Sequence, residues 1–197
     1  MNCIIVGKTK ILELTDNEFS IDKLSMLFPR FEQIQNQDCL LRAFMSLLIN
    51  ILSLISAFLA MEFVAWISHK YLMHGFGWSV HKDHHQPQQG AFQKNDLFFL
   101  LFAIPAITFI FYGIHNGTDW MVFLGIGISA YGMCYFLIHD VFIHQRFSWF
   151  KRSNNAYLRA IRKAHKVHHK SQVKEGGECF GMLLVPIRYF PEVSAKQ

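Results

Sequence analysis

Three stretches of the chain carry no charged residue: Ala43–Met61, Leu97–Ile114 and Trp120–Ile138, of 19, 18 and 19 residues. A helix needs ~20 apolar residues to cross the hydrocarbon core of a bilayer, and buried helices of a soluble bundle rarely show three such runs. Each stretch therefore predicts a membrane-spanning helix. In the first, the helical pattern continues past Met61 through "EFVAWIS" to His69. Only "HNGTD", residues 115–119, separates the second run from the third, so those two read as a hairpin turning at Asn116, Gly117 and Asp119. Pro105 should kink its first arm, and Tyr112 and Trp120 fit interfacial anchors. A fourth apolar piece, "CFGMLLVPIRYF" from Cys179 to Phe190, contains Pro186 and is too short to span, so it should re-enter the membrane or lie on its surface.

The polar flanks add less. Residues 1–42 mix charges of both signs, with "IIVGKTKILEL" as a short strand and "IDKLSMLFPRFEQI" as a short amphipathic helix broken near Pro29. The expected fold class is all-α: an integral membrane helical bundle of about three to four membrane-embedded helices under a cytoplasmic, histidine-rich helical cap. Residues 1–44 form a polar extension, 45–190 the membrane domain and 191–197 a C-terminal tail.

Composition agrees. Hydrophobic residues make up 52% and charged residues 17%, the latter below the ~25% of soluble domains. The net charge of +5 lies largely after residue 139, in Arg146, Lys151, Arg152, Arg159, Arg162, Lys163, Lys166, Lys170 and Lys174. Beside apolar spans, such a run reads as the positive-inside signal rather than a nucleic-acid surface. Cys3, Cys39, Cys134 and Cys179 form no CxxC, so neither a disulfide framework nor a cysteine-held cluster is expected. No cleavable signal peptide is expected either, because residues 1–40 lack an apolar core.

Ten of the eleven histidines fall into two blocks, each following a span: His69, His74, His81, His84 and His85, then His139, His144, His165, His168 and His169. Both blocks read HxxxxH and later HxxHH. Positions i, i+3 and i+4 share a helix face, so His81, His84 and His85 should converge on one point, as should His165, His168 and His169. The HxxxxH pairs diverge by ~140° on an ideal helix, which requires a helix end, a bulge or two separate metals. Imidazole suits iron, zinc, copper and nickel, ten ligands are too many for one ion, and the zinc-protease HExxH is absent. Two non-haem irons serving O2 chemistry fit best. His115, in the opposite turn, reads as an ordinary exposed histidine.

Four carboxylates are candidates to orient imidazoles or line the site without binding metal: Glu62, Asp83, Asp140 and Asp96. Glu62 is the only charged residue from Ala43 to Ile67 and lies seven residues before His69, on the same helix face. Asp83 and Asp140 each adjoin a histidine. Asp96 can also serve as a helix cap, and Arg146 can pair with Asp140 or with a partner protein. With one short turn between spans two and three, both histidine blocks emerge on one side. That side carries Lys70, Lys82, Lys94 and the later basic run, which places it in the cytoplasm. The N-terminus then lies outside, carrying Lys8, Lys10, Lys23, Arg30 and Arg42; a native start at Met45 would remove that difficulty. No GxGxxG fingerprint or flavin site is visible, so the two electrons that O2 activation needs must come from an external donor. The late basic run suits a small acidic carrier.

The stretches "MEFVAWISHKYLMHGFGWSVHKDHH", "KNDLFF", "HDVFIHQR", "HKVHHK" and "ECFGMLLVP" resemble the bacterial β-carotene 3-hydroxylases, within the fatty acid hydroxylase superfamily, over about residues 45–190. The resemblance implies O2-dependent hydroxylation of a bilayer carotenoid at C3 of its β-ionone rings, giving β-cryptoxanthin and then zeaxanthin. It also implies two irons on the ten histidines, ferredoxin with its reductase as donor, no nucleic-acid partner, and a bacterial inner-membrane location. The rivals are a fatty acid or sterol hydroxylase or desaturase of the same superfamily, and, more distantly, a membrane metal-binding or transport protein. A transporter should place its ligands near the bilayer midplane, whereas these histidines cluster at span ends.

Overall fold

The computed structural model describes residues 21–86, 92–147 and 153–190, with side chains from residue 36 onward. The strand expected at residues 4–14 and the tail 191–197 lie outside the described residues. The chain divides into two compact units, Met1–Ile49 and Asn50–Gln197. In the first, the described residues belong to helix α1, Ile21–Ile67, which continues through Pro29 rather than breaking there. Cys39 is disulfide-bonded, which the cysteine spacing had not suggested; Cys134 and Cys179 are free thiols.

In the second unit α1 passes into a wide π-helical segment, Ser68–Phe76, then a short helix α2, Trp78–His81, and a 3-10 turn, Lys82–His85. After a second 3-10 turn, Lys94–Phe99, come α3, Leu100–Asn116, and α4, Asp119–Tyr135. The latter opens into another π-helical segment, Phe136–Ile143. Helix α5, Ala156–His168, is capped by Asn155, whose Oδ1 accepts the Leu158 N–H at 3.1 Å. An irregular strap follows, with one 3-10 turn at Ile187–Tyr189.

Among the described residues, three helices are long and apolar enough to cross a membrane: Asn36–Phe76, Lys94–Asn116 and Asp119–Ile143. The fourth apolar piece is no helix of that kind. It forms the strap and its 3-10 turn, because Pro186 and its short length deny it a run of helical bonds. Helix α3 runs on through Pro105. Phe111 is 70% exposed and Ile114 65% exposed, as expected of side chains that meet lipid rather than water.

The predicted hairpin forms. Gly117 adopts φ +62°, the left-handed conformation that ends many helices, and the Thr118 N–H reaches the Gly113 carbonyl at 2.8 Å. Small residues then let the helices approach. A Cβ on Gly125 would lie 2.7 Å from the Ala106 carbonyl oxygen, and one on Gly127 would collide with the Leu54 carbonyl. Ala57, Met61, Ala65, Ala106, Ile128 and Tyr131 form the core so enclosed. A second cluster, Phe142, Ile143, Ile161 and Met182, joins the α4 extension, α5 and the strap. This cluster and the π-helical segments frame the histidines.

Candidate metal centre

The two π-helical segments resolve the HxxxxH spacing. In an ordinary α-helix, residues five apart point away from each other, but an i→i+5 hydrogen bond adds a residue to the turn. The His144 N–H donates to the His139 carbonyl at 2.9 Å, and the Gly77 N–H to the Leu72 carbonyl at 2.8 Å. The wide turn brings the His139 and His144 rings to 4.5 Å between centroids, and His69 and His74 to 5.3 Å. The helix bulges, and each pair serves one group.

The HxxHH triplets do not converge as expected. His69, His74, His81, His85 and His168 form one group, and His84, His144, His165 and His169 a second; within each, the nearest ring nitrogens lie within 4.8 Å of one another. His139 joins the second group, its Nε2 3.0 Å from that of His84. Each triplet is thus split: positions i and i+4 stay together, while i+3 crosses to the other group. On α5 successive residues step ~100° around the axis, so His168 and His169 lie on opposite flanks of the face they share with His165, while His84 and His85 lie in a tighter 3-10 turn, stepping ~120° per residue. His84 and His168 make the crossings, and each group draws on both blocks.

The hydrogen bonds decide which ring nitrogen is free. Nδ1 of His69 donates to the Phe180 carbonyl at 3.0 Å and that of His74 to the Lys174 carbonyl at 3.0 Å. Those of His85 and His168 donate to the Ser171 and Glu178 carbonyls at 2.8 and 2.7 Å. His81 and His84 use side-chain oxygens, Asn95 Oδ1 at 2.6 Å and Gln93 Oε1 at 3.0 Å. These oxygens only accept, so the proton sits on Nδ1 and the Nε2 lone pair is left exposed. Yet the Nε2 atoms of His69 and His81 lie 3.2 Å apart, those of His81 and His85 3.1 Å, and those of His74 and His168 3.3 Å. Lone pairs facing one another at such distances repel unless a cation lies among them. Nε2 of His169 is buried without a hydrogen-bond partner. Burial above all, reinforced by neighbouring imidazoles, pushes His81, His144 and His168 down to about 3, His85 to about 4 and His169 to about 2. These five rings are therefore neutral at physiological pH, the form that binds metal. The donor set fits two metal ions.

The carboxylates occupy different places. Asp140 lies 3.5 Å from His139 Nδ1 and 3.2 Å from Arg146 Nε. Asp96 receives two N–H bonds from Arg146, at 3.2 and 2.9 Å, and also caps its own 3-10 turn through the Gln93 N–H at 2.9 Å. Asp83 touches no imidazole by hydrogen bond; Oδ2 accepts the Lys94 N–H at 2.7 Å and Oδ1 is buried without a partner. Glu62 binds the strap: Met182, Leu183 and Leu184 donate their N–H groups to Oε1 at 2.8, 2.8 and 2.9 Å. His115 is exposed. Sequence reasoning missed Gln93, Asn95, Tyr131 and the four strap carbonyls. Only Asn95 had a signal, its place in "KNDLFF".

Residues 54–187 match the family model for fatty acid hydroxylases. The chain is similar to a β-carotene hydroxylase of Pantoea ananas, 39% identical over 137 residues that cover 70% of this chain and 78% of the relative. It is 41% identical to a β-carotene hydroxylase of Pseudescherichia vulneris over 139 residues, covering 70% and 77%. A chloroplastic β-carotene 3-hydroxylase 2 of Arabidopsis thaliana is 37% identical over 146 residues, 73% of this chain and 47% of the relative. No solved structure matches the chain.

Proposed function

The chain belongs to the fatty acid hydroxylase family, and from that premise we propose that it is a membrane β-carotene hydroxylase. It is an O2-dependent oxidoreductase that hydroxylates C3 of the β-ionone rings, giving β-cryptoxanthin and then zeaxanthin. The observation that carries this reading is the pair of buried, interlocked imidazole groups at the ends of membrane-length helices, in a chain so similar to bacterial β-carotene hydroxylases. The catalytic part is residues 45–190.

In this reading the ten histidines hold two non-haem irons, five to a group. Bound iron supplies the reductive activation of O2 that places one oxygen atom in a C–H bond and the other in water. The protein's own part is arrangement. Carbonyl and side-chain oxygens fix the tautomer of each ring and aim Nε2 inward. Trp78 and Phe180 pack against His74, and Tyr135 against His139, keeping water from the imidazoles. The apolar outer faces of α1, α3 and α4 suit a substrate dissolved in lipid. Two electrons per hydroxylation come from an external donor. The exposed Arg159, Lys163, Lys166, Lys170 and Lys174, on and after α5, suit a small acidic carrier such as ferredoxin, served by its reductase. These charges support a cytoplasmic position for the histidine side, in a bacterial inner membrane.

Expression in bacteria that already make β-carotene tests the assignment. Aerobic, iron-replete cells should accumulate β-cryptoxanthin and zeaxanthin, identified by chromatography and mass. Unchanged β-carotene with hydroxylated fatty acids would move the activity to another lipid of the same superfamily.

A further inference from the structure

Four of the five imidazoles in the first group hang from one stretch of backbone. Ser171, Lys174, Glu178 and Phe180 offer their carbonyls to His85, His74, His168 and His69. The second group is held otherwise, with His84 on the Gln93 side chain and His139 facing Asp140. The carbonyl-bearing strap is itself moored a few residues later. Three successive N–H groups, from Met182 to Leu184, converge on Glu62 Oε1, while Oε2 accepts the Tyr131 hydroxyl at 2.7 Å. Gly181 lets the strap come this close, since a Cβ there would stand 3.0 Å from Oε1.

Glu62 is buried in a membrane-spanning helix, and among the described residues no cation pairs with it. An ionisable group in such a place is costly unless fully hydrogen-bonded. Its four bonds all go to the strap and to α4, and none goes to a histidine. We propose that Glu62 is a positioning residue for the first metal group: by mooring residues 182–184 it holds the strap carbonyls that fix four imidazoles. This rests on the reading that the two histidine groups hold two metal ions.

The test uses the full chain in detergent, loaded anaerobically with iron(II) alone, with metal counted by mass spectrometry. Amide hydrogen exchange at residues 178–184 is followed in the metal-free protein. Wild type should bind two ions. Glu62→Ala should hold one tightly and the other about 10- to 100-fold more weakly, the usual cost of losing an orienting partner, with faster exchange along the strap. Combining it with His84→Ala should leave no tight ion, whereas combining it with His168→Ala should leave one. Glu62→Gln keeps an oxygen facing the three amides and should restore both ions. Tyr131→Phe removes one bond to the carboxylate and should weaken the same ion by a smaller factor. Two ions held with wild-type affinity in Glu62→Ala, or equal weakening of both, would overturn the proposal. Wild-type protein that binds no iron would overturn it together with the two-metal reading.

Discussion

Replacing either crossing histidine, His84 or His168, with alanine should all but abolish carotenoid hydroxylation, and each change should empty the group that the rest of its block does not build. His168 lies on α5 among imidazoles of the second group, yet its Nε2 stands 3.3 Å from that of His74 in the first. His84 follows His81 in sequence, yet its Nε2 stands 3.0 Å from that of His139 in the second. Loss of a metal-facing imidazole should weaken iron more than the 10- to 100-fold expected of an orienting partner, and activity should fall by at least about 100-fold. Iron counting on the purified variants gives the sharper answer. His168→Ala should behave like His69→Ala, and His84→Ala like His144→Ala, although sequence position pairs them the other way. Double variants within a group should release no more iron than the single ones, while one from each group should release both ions. If His84→Ala instead falls into line with His81→Ala, the triplets converge as an ideal helix face would suggest and the interlocked arrangement is wrong.

Arg146→Ala should loosen the second group and destabilise the fold. Its guanidinium holds two imidazoles of that group by indirect routes. Through Asp140 it reaches His139, and through Asp96, which accepts the Gln93 N–H, it reaches the residue whose side chain orients His84. The pair with Asp140 is largely enclosed, with the Arg146 side chain 16% exposed and Asp140 14%, whereas Asp96 is 33% exposed and more open to solvent. Removing the cation leaves the enclosed Asp140 carboxylate without its partner, at a cost of about 3 kcal/mol, the lower end for a broken buried pair. Arg146→Lys keeps the charge but not the fork that meets Asp96 with two bonds, so it should recover part of the stability and less of the iron affinity. Chemical denaturation in detergent and iron release rates check both. An Arg146→Ala protein as stable as wild type, releasing iron no faster, would show that these carboxylates need no guanidinium.

Much of the framework is legible in the chain because it follows from composition at low resolution. Uncharged runs set the spans; the observed helices lengthen the second and third by a few residues into polar flanks, such as Lys94–Asn116 around Leu97–Ile114, and extend the first much further, to Asn36–Phe76. Histidine spacing singled out all ten imidazoles. Their partition was not legible, because it depends on local helix geometry: the extra residue in each π-helical turn, the 3-10 turn that carries His84 and His85, and the ~100° step that separates His168 from His169 at the end of α5. The orienting groups were harder still. Backbone carbonyls of Ser171, Lys174, Glu178 and Phe180 leave no trace in residue type, since any residue supplies one. Glu62 stood out as a charge in a span, but its partners, the amides of residues 182–184, lie about 120 positions away in sequence.

The presence of two metal ions held by interlocked imidazole groups is tested most directly by the iron content of the purified wild-type chain after anaerobic loading. The expected result is two iron ions per chain, reduced to one in both His84→Ala and His168→Ala. A single ion in the wild type, or two ions retained in both variants, would contradict it.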